Sequence, residues 1–334
     1  MEVTRSDAIR IAHTSAVAEV RRIVATHAAS FGWGAEAEGA ANVIATELAT
    51  NIAKHAREGI VVVNSGTDGR AGHLRMVAMD RGPGMADVAR CMEDGYSTAG
   101  SPGTGFGAAR RMSRSFDVLS TPGKGTLIAA AYAPTWKEPE SADPQLGVIC
   151  VAREGEEVCG DIWAVRREGS RLVAMICDGL GHGALAAQAA RLAHECFMTS
   201  VVLDPKALME ALHAALKPSR GAAAAVASVD LRTGALAFCG VGNITAVVVD
   251  GHETRHLVSH NGIVGHRAAR IAEFGATCRP GSSLVMHSDG VSGRWRPEEW
   301  GGLWQRDPLL VASALWRDHS RSTDDATVLV ARMP

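Results

Sequence analysis

Short apolar runs, each ending at a polar or glycine-rich segment, recur along the second half of the chain. The clearest are Arg171–Cys177 and Ser283–Ser288, and each is followed directly by an Asp-Gly pair. A nearly continuous apolar run of this length, ending at a turn signal, predicts a strand that is buried on both faces. The aspartates that follow these runs are therefore expected at the ends of buried strands.

The pattern is interrupted at Pro134–Pro144, which holds three prolines, four charges and almost no apolar periodicity. Such a composition predicts a linker. Before it, we expect strands near 5–11, 60–64, 72–79, 115–120 and 125–132, and helices near 15–30, 35–56, 85–92 and 105–113. This order predicts a mixed or antiparallel sheet with its helices on one face.

After the linker, the pattern predicts many strands and few helices, which favours a β-sandwich with helices packed outside. The expected strands lie near 146–152, 159–166, 171–177, 223–229, 235–239, 244–249, 283–287 and 326–331, and the expected helices near 184–200, 205–216 and 308–318. The fold class is therefore α+β with two domains. We place them at residues 1–133 and 146–334, joined by a linker at 134–145.

Composition agrees with two domains and excludes several classes of function. The chain has 334 residues with 34 basic against 36 acidic side chains, a net charge of −2, so a basic nucleic-acid surface is not expected. No apolar run reaches the ~18 residues that a membrane span needs, and the N-terminus lacks the apolar stretch of a signal peptide. Seven cysteines without a Cys-x-x-Cys motif favour a reduced, cytoplasmic protein, in which Cys150, Cys177 and Cys239 are expected to be buried thiols.

The first candidate site begins on the predicted helix 35–56. Glu47 and Asn51 are four residues apart and so lie on one stripe of this helix. An asparagine oxygen can bind Mg²⁺, and a glutamate can act as a general base toward a hydroxyl group. Taken alone, the stripe is more typical of an ordinary solvated helix face.

Two further segments favour a nucleotide pocket. Asp80 ends a predicted strand and is followed by two glycines, Gly82 and Gly84, so its carboxylate can accept a hydrogen bond from an adenine amino group. The segment Gly103-Thr-Gly-Phe-Gly107 opens a predicted helix, where bare backbone amides form an anion site. A single glycine pattern is weak by itself, but its position between Asp80 and Gly123–Thr126 strengthens it.

These motifs, in this order, resemble those of the GHKL (Bergerat-fold) ATPases, and the short lid resembles the anti-sigma and stressosome switch serine kinases. The resemblance covers residues 1–133 and implies an α/β sandwich that binds ATP and Mg²⁺ under a roof at 94–104. It places Asn51 on Mg²⁺, Asp80 on adenine, Thr126 near adenine through water, and Glu47 as the base that activates a partner's serine. The implied ATP-binding residues are Asn51, Asp80, Gly82, Gly84, Gly103, Thr104, Gly105, Phe106, Gly107 and Thr126.

The second candidate site consists of aspartates at the ends of apolar strands. Asp161 precedes one such strand, Asp178 and Asp289 follow two others, and Asp324-Asp325 precede the last. Each aspartate alone could be a turn former, as Asp-Gly commonly is. If the strand ends converge, the carboxylates raise one another's pKa, and oxygen-only ligation then favours Mg²⁺ or Mn²⁺. Two such ions can ionise a water for attack on phosphorus.

This ordered set resembles the metal-dependent serine/threonine phosphatases of the PPM family, and most closely their SpoIIE-like bacterial branch. The resemblance covers about 146–332 and implies an α-β-β-α sandwich. It implies that Asp178 bridges both metals and acts in catalysis with Asp289, and that the Gly179 carbonyl holds one ion. Asp289 and Asp324 complete the other site, and Asp161 acts through water. One departure is Cys159, which stands where family members often have the first of two glycines.

The two resemblances together predict a bifunctional partner-switching enzyme. Its first domain would phosphorylate a serine or threonine of a STAS-type regulatory protein, and its second domain would remove such a phosphate. A second hypothesis is a phosphatase whose first domain only senses nucleotide or docks a partner. A third makes the first domain a sigma-factor binder. His182, among glycines, is expected to be a turn residue and not a metal ligand.

Overall fold

The computed structural model describes residues 2–56, 58–68, 71–92, 105–135, 144–268 and 270–334. The chain divides into two compact units, Met1–Glu138 with Gln305–Ser313 and Pro139–Trp304 with Ala314–Pro334. Both units contain helices and strands, which confirms the α+β two-domain class. The domain limits of 1–133 and 146–334 stay predictions, and most of the expected linker lies outside the described residues.

The first unit is built on a five-stranded sheet in which every neighbouring pair is antiparallel. Its strands are β1 (Glu2–Ile11), β2 (Gly59–Asp68), β3 (Ala71–Asp80), β4 (Ser115–Thr121) and β5 (Gly125–Tyr132). Their order across the sheet is β1-β2-β3-β5-β4. The strands β3 and β5 are thus neighbours, which places the end of β3 beside the start of β5.

The helices of this unit pack on one face of the sheet, as the sequence predicts. They are α1 (Ala16–Ser30), α2 (Ala35–Asn51), α3 (Val88–Cys91) and α4 (Gly105–Met112). Val24 of α1 and Ile44 and Leu48 of α2 share one buried cluster with alternate strand residues such as Val61 and Met76. Alternate residues of a strand face the same side of a sheet, so the helices cover a single face.

The predicted helix 35–56 ends earlier than expected. The α-helix stops at Asn51 and continues as a single π-helical turn over Ile52–Ala56. The π-turn widens the backbone at a place where the chain meets the loop after β3. A Cβ atom built on Gly82 would lie 2.9 Å from the Cα of Ala56, so that loop lies directly against the π-turn. Turns of this kind occur often at functional sites.

The second unit contains two sheets, and the first of them carries two helices. This sheet has the order β13-β10-β9-β8-β7, with β16 paired to β10. Its members are β7 (Asp161–Glu168), β8 (Arg171–Gly179), β9 (Ala222–Asp230), β10 (Ala235–Val241), β13 (Ser259–His260) and β16 (Phe274–Thr277), and the helices are α5 (Ala184–Thr199) and α6 (Pro205–Ala215).

Both faces of this first sheet are covered. Val173 and Met175 of β8 share a buried cluster with Phe197 of α5 and Leu212 of α6. Ile176, the residue after Met175, points to the opposite face and is also fully buried. Burial on both sides explains why β8 reads as a continuous apolar run and not as an alternating one.

The second sheet has the order β12-β11-β17-β18-β6, antiparallel at every pair. Its strands are β6 (Gln145–Val151), β11 (Thr245–Asp250), β12 (Glu253–Leu257), β17 (Ser283–His287) and β18 (Ala326–Arg332), and the chain also forms a small hairpin of β14 (Gly262–Ile263) and β15 (Arg267–Ala268) and the helix α7 (Pro308–His319). The two stacked sheets and flanking helices confirm the predicted sandwich. The sequence did not predict β12 to β16.

One side chain fixes the end of α5 to the sheet. The guanidinium of Arg166, on β7, donates hydrogen bonds to the carbonyl oxygens of Met198 (3.3 Å), Ser200 (2.5 Å) and Val202 (3.2 Å). The same group lies 5.1 Å from the ring centre of Phe197. The last carbonyls of a helix have no partner within the helix, so Arg166 satisfies groups that would otherwise be left without a donor.

We predict that Arg166→Met destabilises the second unit by about 2 kcal/mol, because three carbonyls lose a charged donor while the apolar stem is kept. For a unit of this size the melting temperature should fall by roughly 4–8 °C. Thermal unfolding followed by circular dichroism measures the shift. Arg167→Met is the matched control, since Arg167 is exposed and should change little. Equal melting temperatures for both variants would contradict this role of Arg166.

Candidate functional site

In the first unit the end of β3 and the start of β5 form one hydrogen-bonded group. The buried Asp80 side chain accepts hydrogen bonds at Oδ1 from the backbone amides of Gly82 (2.7 Å) and Thr126 (3.2 Å). The hydroxyls of Thr126 and Ser120 lie 2.8 Å apart, and Ser120 accepts from the amide of Met85 at 2.7 Å. The structure therefore brings Asp80, Gly82 and Thr126 together, as the sequence predicts.

Gly84 completes the same corner of the unit. It has a φ of 70°, and a Cβ atom there would lie 2.2 Å from the carbonyl oxygen of Thr121. Any larger residue would push the loop after β3 away from β4. The requirement for glycine at position 84 is thus structural, whatever ligand the corner holds.

The helices α2 and α4 form the second part of this candidate pocket. Glu47 is half-buried on α2, and a Cβ atom on Gly105 would lie 2.1 Å from its Oε2 atom. The first turn of α4 thus lies against the Glu47 carboxylate. Asn51 is the last residue of α2 and is also half-buried. Phe106 contacts the core and meets Phe116 edge to face, at a ring-centre distance of 6.3 Å.

Part of the predicted nucleotide site lies outside the described residues, namely Gly103, Thr104 and the roof at 94–104. Gly107 is buried in α4. Within the described part of the pocket, the buried Asp80 carboxylate is held by two backbone amides. The helix α4 begins at Gly105. A carboxylate at the rim of such a corner can accept a hydrogen bond from a base, and the α4 N-terminus can face an anion. This donor set fits a bound nucleotide.

In the second unit the strands β7 and β8 carry the first two aspartates as a pair. Asp161 and Asp178 are directly opposite each other in the antiparallel register. A Cβ atom on Gly179 would lie 2.2 Å from the carbonyl oxygen of Ala186, so the end of β8 fits closely against the first turn of α5. This close approach fixes the position of Asp178 at the end of β8.

Asp161 is a buried carboxyl group with one oxygen left over. Its Oδ2 accepts a hydrogen bond of 2.6 Å from the Ser288 hydroxyl, while its buried Oδ1 has no partner among the described residues. The pKa of Asp161 is raised to about 7, mainly by burial, against the opposing effect of the nearby hydroxyls of Ser288 and Thr327. The Thr327 hydroxyl also lies 3.2 Å from the sulfur of Cys150, to which it donates. A buried oxygen without a donor is costly and suits a cation.

The neighbouring aspartates respond to one another in the same way. The pKa of Asp178 is raised to about 9, first by burial and then by the charges of Asp161, Asp289 and Asp324. The pKa of Asp289 is also raised, first by burial and then by Asp324, with the Arg321 charge opposing. Such mutual effects require the carboxylates to lie near one another. The four predicted ligands, Asp161 and Asp178 on β7 and β8, Asp289 after β17 and Asp324 before β18, thus form one electrostatically coupled group.

The adjacent residues Asp324 and Asp325 have different hydrogen-bond partners. The Asp325 carboxylate is buried and accepts hydrogen bonds from the amides of Arg153 (2.8 Å) and Gly160 (2.9 Å), which turns it toward the backbone. Asp324 is half-buried and accepts from the Asp325 amide at 3.0 Å. Asp325 thereby fixes the loop that delivers Asp161, and Asp324 stays the member of the pair predicted to bind metal.

Sequence reasoning did not identify two polar residues at this site. Ser288 donates to Asp161 and accepts from the Thr327 amide at 2.9 Å, so it ties the ends of three strands together. Asn243 donates from Nδ2 to Asp289 Oδ2 at 2.6 Å. Ser288 could have been noticed as the residue before Asp289. Asn243 lies 46 residues from Asp289 along the chain, and no local pattern marks it.

The coupled aspartates do not form a complete coordination shell for a metal ion. Across the ranges that the structure describes, no three His, Cys, Asp or Glu side chains are gathered closely enough to hold an ion. The donor set still fits hard divalent cations, because it offers carboxylate oxygens, one of them unsatisfied and buried. His182 is engaged elsewhere, with Nδ1 2.6 Å from Glu156 Oε1.

Within the described residues, no helix is long and apolar enough to cross a membrane.

Each half of the chain matches a different family model. Residues 168–334, half of the chain, match the model for stage II sporulation protein E (SpoIIE), and residues 11–131 match the histidine kinase-like ATPase domain. Among characterised relatives, the phosphoserine phosphatase RsbX of Bacillus subtilis (strain 168) is 24% identical over 154 residues, which are 46% of this chain and 77% of RsbX. The serine/threonine-protein kinase RsbT of the same organism is 31% identical over 122 residues, 36% of this chain and 92% of RsbT.

Solved structures agree with these matches. A structure from work on the bacterial stressosome, a modular system adapted to control secondary messenger signaling, is 28% identical with a TM-score of 0.54, and the match covers 57% of this chain and 100% of that one. The crystal structure of RsbX with magnesium is 20% identical with a TM-score of 0.51, over 59% of this chain and 98% of RsbX, and shows a shared fold. The chain therefore belongs to the SpoIIE family through residues 168–334, and its residues 11–131 form a histidine kinase-like ATPase domain of the RsbT type.

Proposed function

We propose that the chain is a bifunctional partner-switching enzyme. Its ATPase-like domain phosphorylates a serine or threonine of a STAS-type regulatory protein, and its SpoIIE-like domain hydrolyses phosphoserine or phosphothreonine on such a protein. The single observation that carries the proposal is the group of four coupled aspartates with an unsatisfied buried oxygen on Asp161. The relatives RsbX and RsbT, whose names describe a phosphoserine phosphatase and a serine/threonine kinase, support the two halves separately.

The phosphatase half needs two divalent ions, Mg²⁺ or Mn²⁺, which supply an ionised water and charge neutralisation for in-line hydrolysis. Asp178 and the Gly179 carbonyl would hold the ions together with Asp289 and Asp324, and Asp161 would act through water. The protein's own contribution is positioning. Ser288 fixes the buried Asp161, and Asn243 fixes Asp289, each by one short hydrogen bond. Ligands that are held before the ion arrives bind it with less reorganisation.

The kinase half rests on a smaller set of described residues. Asp80, held by Gly82 and Thr126, would recognise adenine, and Asn51 would bind Mg²⁺. Glu47 lies against the first turn of α4, where the phosphates would lie, and in this proposal it would accept the proton of an incoming serine hydroxyl. The lower-ranked alternative is a phosphatase whose first domain only senses ATP or docks a partner, such as a sigma factor.

Replacing a bridging carboxylate tests the phosphatase half. We predict that Asp178→Asn lowers hydrolysis of a phosphoserine STAS protein, with Mn²⁺ present, by on the order of 100-fold or more, since even outer-shell changes cost 10–100-fold. Release of inorganic phosphate measures the rate. Asp230→Asn is the matched control, because Asp230 also ends a strand but pairs with Arg171 at the opposite end of β8. Equal activity of the two variants would refute the assignment.

The coupled aspartates also predict a pH dependence of stability without metal. Asp178 has a pKa of about 9 in the folded chain, whereas an aspartate in an unfolded chain titrates near 3.9. Between these values the folded state binds more protons, so stability falls as pH rises toward about 9. We expect the melting temperature measured in chelator to decrease from pH 5 to 9, and Mn²⁺ to restore it most at high pH. In Asp178→Asn both effects should be smaller. A pH-independent melting temperature would contradict this electrostatic coupling.

The kinase half is tested in the Asp178→Asn background, where phosphate is not removed. With ATP, Mg²⁺ and a STAS protein, we expect phosphoserine to accumulate, as measured by mass spectrometry. Adding Glu47→Gln should slow the transfer by about 10²–10⁴-fold but keep ATP binding, because a general base is lost and the pocket is not. Glu36→Gln, an exposed change on the same helix, is the control. If Glu47→Gln transfers phosphate normally, Glu47 is not the general base. If no transfer occurs in Asp178→Asn itself, the binding-only alternative replaces the kinase.

A further inference from the structure

Two cysteines meet next to the aspartate group. The sulfur atoms of Cys150, at the end of β6, and Cys159, just before β7, lie 3.7 Å apart. The sequence gives no paired spacing for them and places Cys150 among buried thiols, but both are half-buried. Among the described residues, no other two cysteine sulfurs are in contact. The remaining thiols that are fully buried, Cys177, Cys239 and Cys278, have no such neighbour.

This thiol pair is linked to the metal-site candidates on both sides. The Cys150 sulfur accepts a hydrogen bond from the Thr327 hydroxyl at 3.2 Å and lies 4.0 Å from the carbonyl oxygen of Asp161. Cys159 precedes Gly160, whose amide donates to Asp325 at 2.9 Å. A change in the distance between the two sulfurs therefore acts on the segment that delivers Asp161.

We propose that Cys150 and Cys159 are an oxidation site at which hydrogen peroxide forms a disulfide that disturbs the metal centre. The sulfur of one thiol attacks hydrogen peroxide, the O–O bond breaks, and the thiol proton goes to the leaving oxygen, so a sulfenic acid and one water form. The second thiol attacks the sulfenic sulfur, the S–S bond forms, and the hydroxyl leaves as a second water. Two electrons pass from the two thiols to the peroxide, so the reaction is balanced.

Tight packing around Gly160 connects disulfide formation to the aspartate group. An S–S bond is about 2.05 Å long, so sulfurs now 3.7 Å apart must approach by roughly 1.7 Å. Gly160 cannot absorb this movement freely, because a Cβ atom there would already lie 2.7 Å from both Ala186 Cβ and Asp325 Oδ2. We expect the part of the shift that rotation of the two side chains does not take up to pass to Asp325 and Asp161. The proposal therefore predicts that the buried carboxylate with the unsatisfied oxygen moves when the disulfide forms.

Bond formation is tested on the full chain without reference to any activity. The chain is treated with hydrogen peroxide, remaining thiols are alkylated, and peptides are mapped by mass spectrometry. We expect a cross-link between the peptides that contain Cys150 and Cys159, which dithiothreitol removes. Cys150→Ser and Cys159→Ser should each abolish it, and Cys196→Ser, a half-buried thiol on α5, should not. Absence of the cross-link in the unsubstituted chain would overturn the proposal.

The consequence is measured in two ways, only one of which rests on the proposed phosphatase function. We expect oxidation to reduce the Mn²⁺-induced rise in melting temperature, and to lower Mn²⁺-dependent hydrolysis of p-nitrophenyl phosphate by about 10-fold or more. Dithiothreitol should restore both, and Cys150→Ser should keep both under peroxide. A cross-linked chain with unchanged Mn²⁺ stabilisation would overturn the coupling. If the reduced chain does not hydrolyse the substrate, the proposed phosphatase function is contradicted. The cross-link and the Mn²⁺-induced rise in melting temperature then still test the oxidation site.

Discussion

The second unit depends on holding several carboxylates together at the edges of two sheets against their mutual repulsion. The strand register places Asp161 and Asp178 side by side, and burial then raises the pKa of both. Packing of two apolar sheets supplies the free energy that keeps these strand ends in place, because β8, β17 and β18 are buried along most of their length. The fold therefore stabilises a charge arrangement that its own carboxylates oppose.

Neighbouring hydrogen bonds determine which carboxylates stay available for cations. Asp325 accepts two amide hydrogen bonds and is thereby used to fix the backbone. Asp161 receives a single hydroxyl, and Asn243 holds only one oxygen of Asp289. The oxygens that remain available thus lie on Asp161 and Asp289, whose pKa values burial raises. A bound cation would lower the cost of ionising them, so metal affinity and domain stability would be coupled.

Much of this organisation could be predicted from local sequence, because its signals are local. Arg171–Cys177 reads as a buried strand, and the aspartate after it reads as a strand-end carboxylate. The strand β12 could not be predicted in the same way, since Glu253–Leu257 is an edge strand with mostly exposed and polar residues. The π-turn after Asn51 and the pairing of Asn243 with Asp289 depend on contacts between distant segments. No periodicity in the chain encodes such contacts.

A chain with both a kinase and a phosphatase domain needs a condition that decides whether phosphate is mainly added or mainly removed. Joining the two domains in one chain does not decide this, because it favours both reactions alike. The two candidate sites differ in what they require of a cation. The nucleotide site would take one Mg²⁺ that ATP itself helps to bind, whereas the aspartate group must bind ions against protons held at a pKa near 9 on Asp178. Protons and divalent cations compete for the same oxygens, so with the proposed activities a lower pH or a lower metal level would weaken the phosphatase first. The direction of flow would then be controlled at the aspartate group, which is also the part of the molecule that Cys150 and Cys159 adjoin.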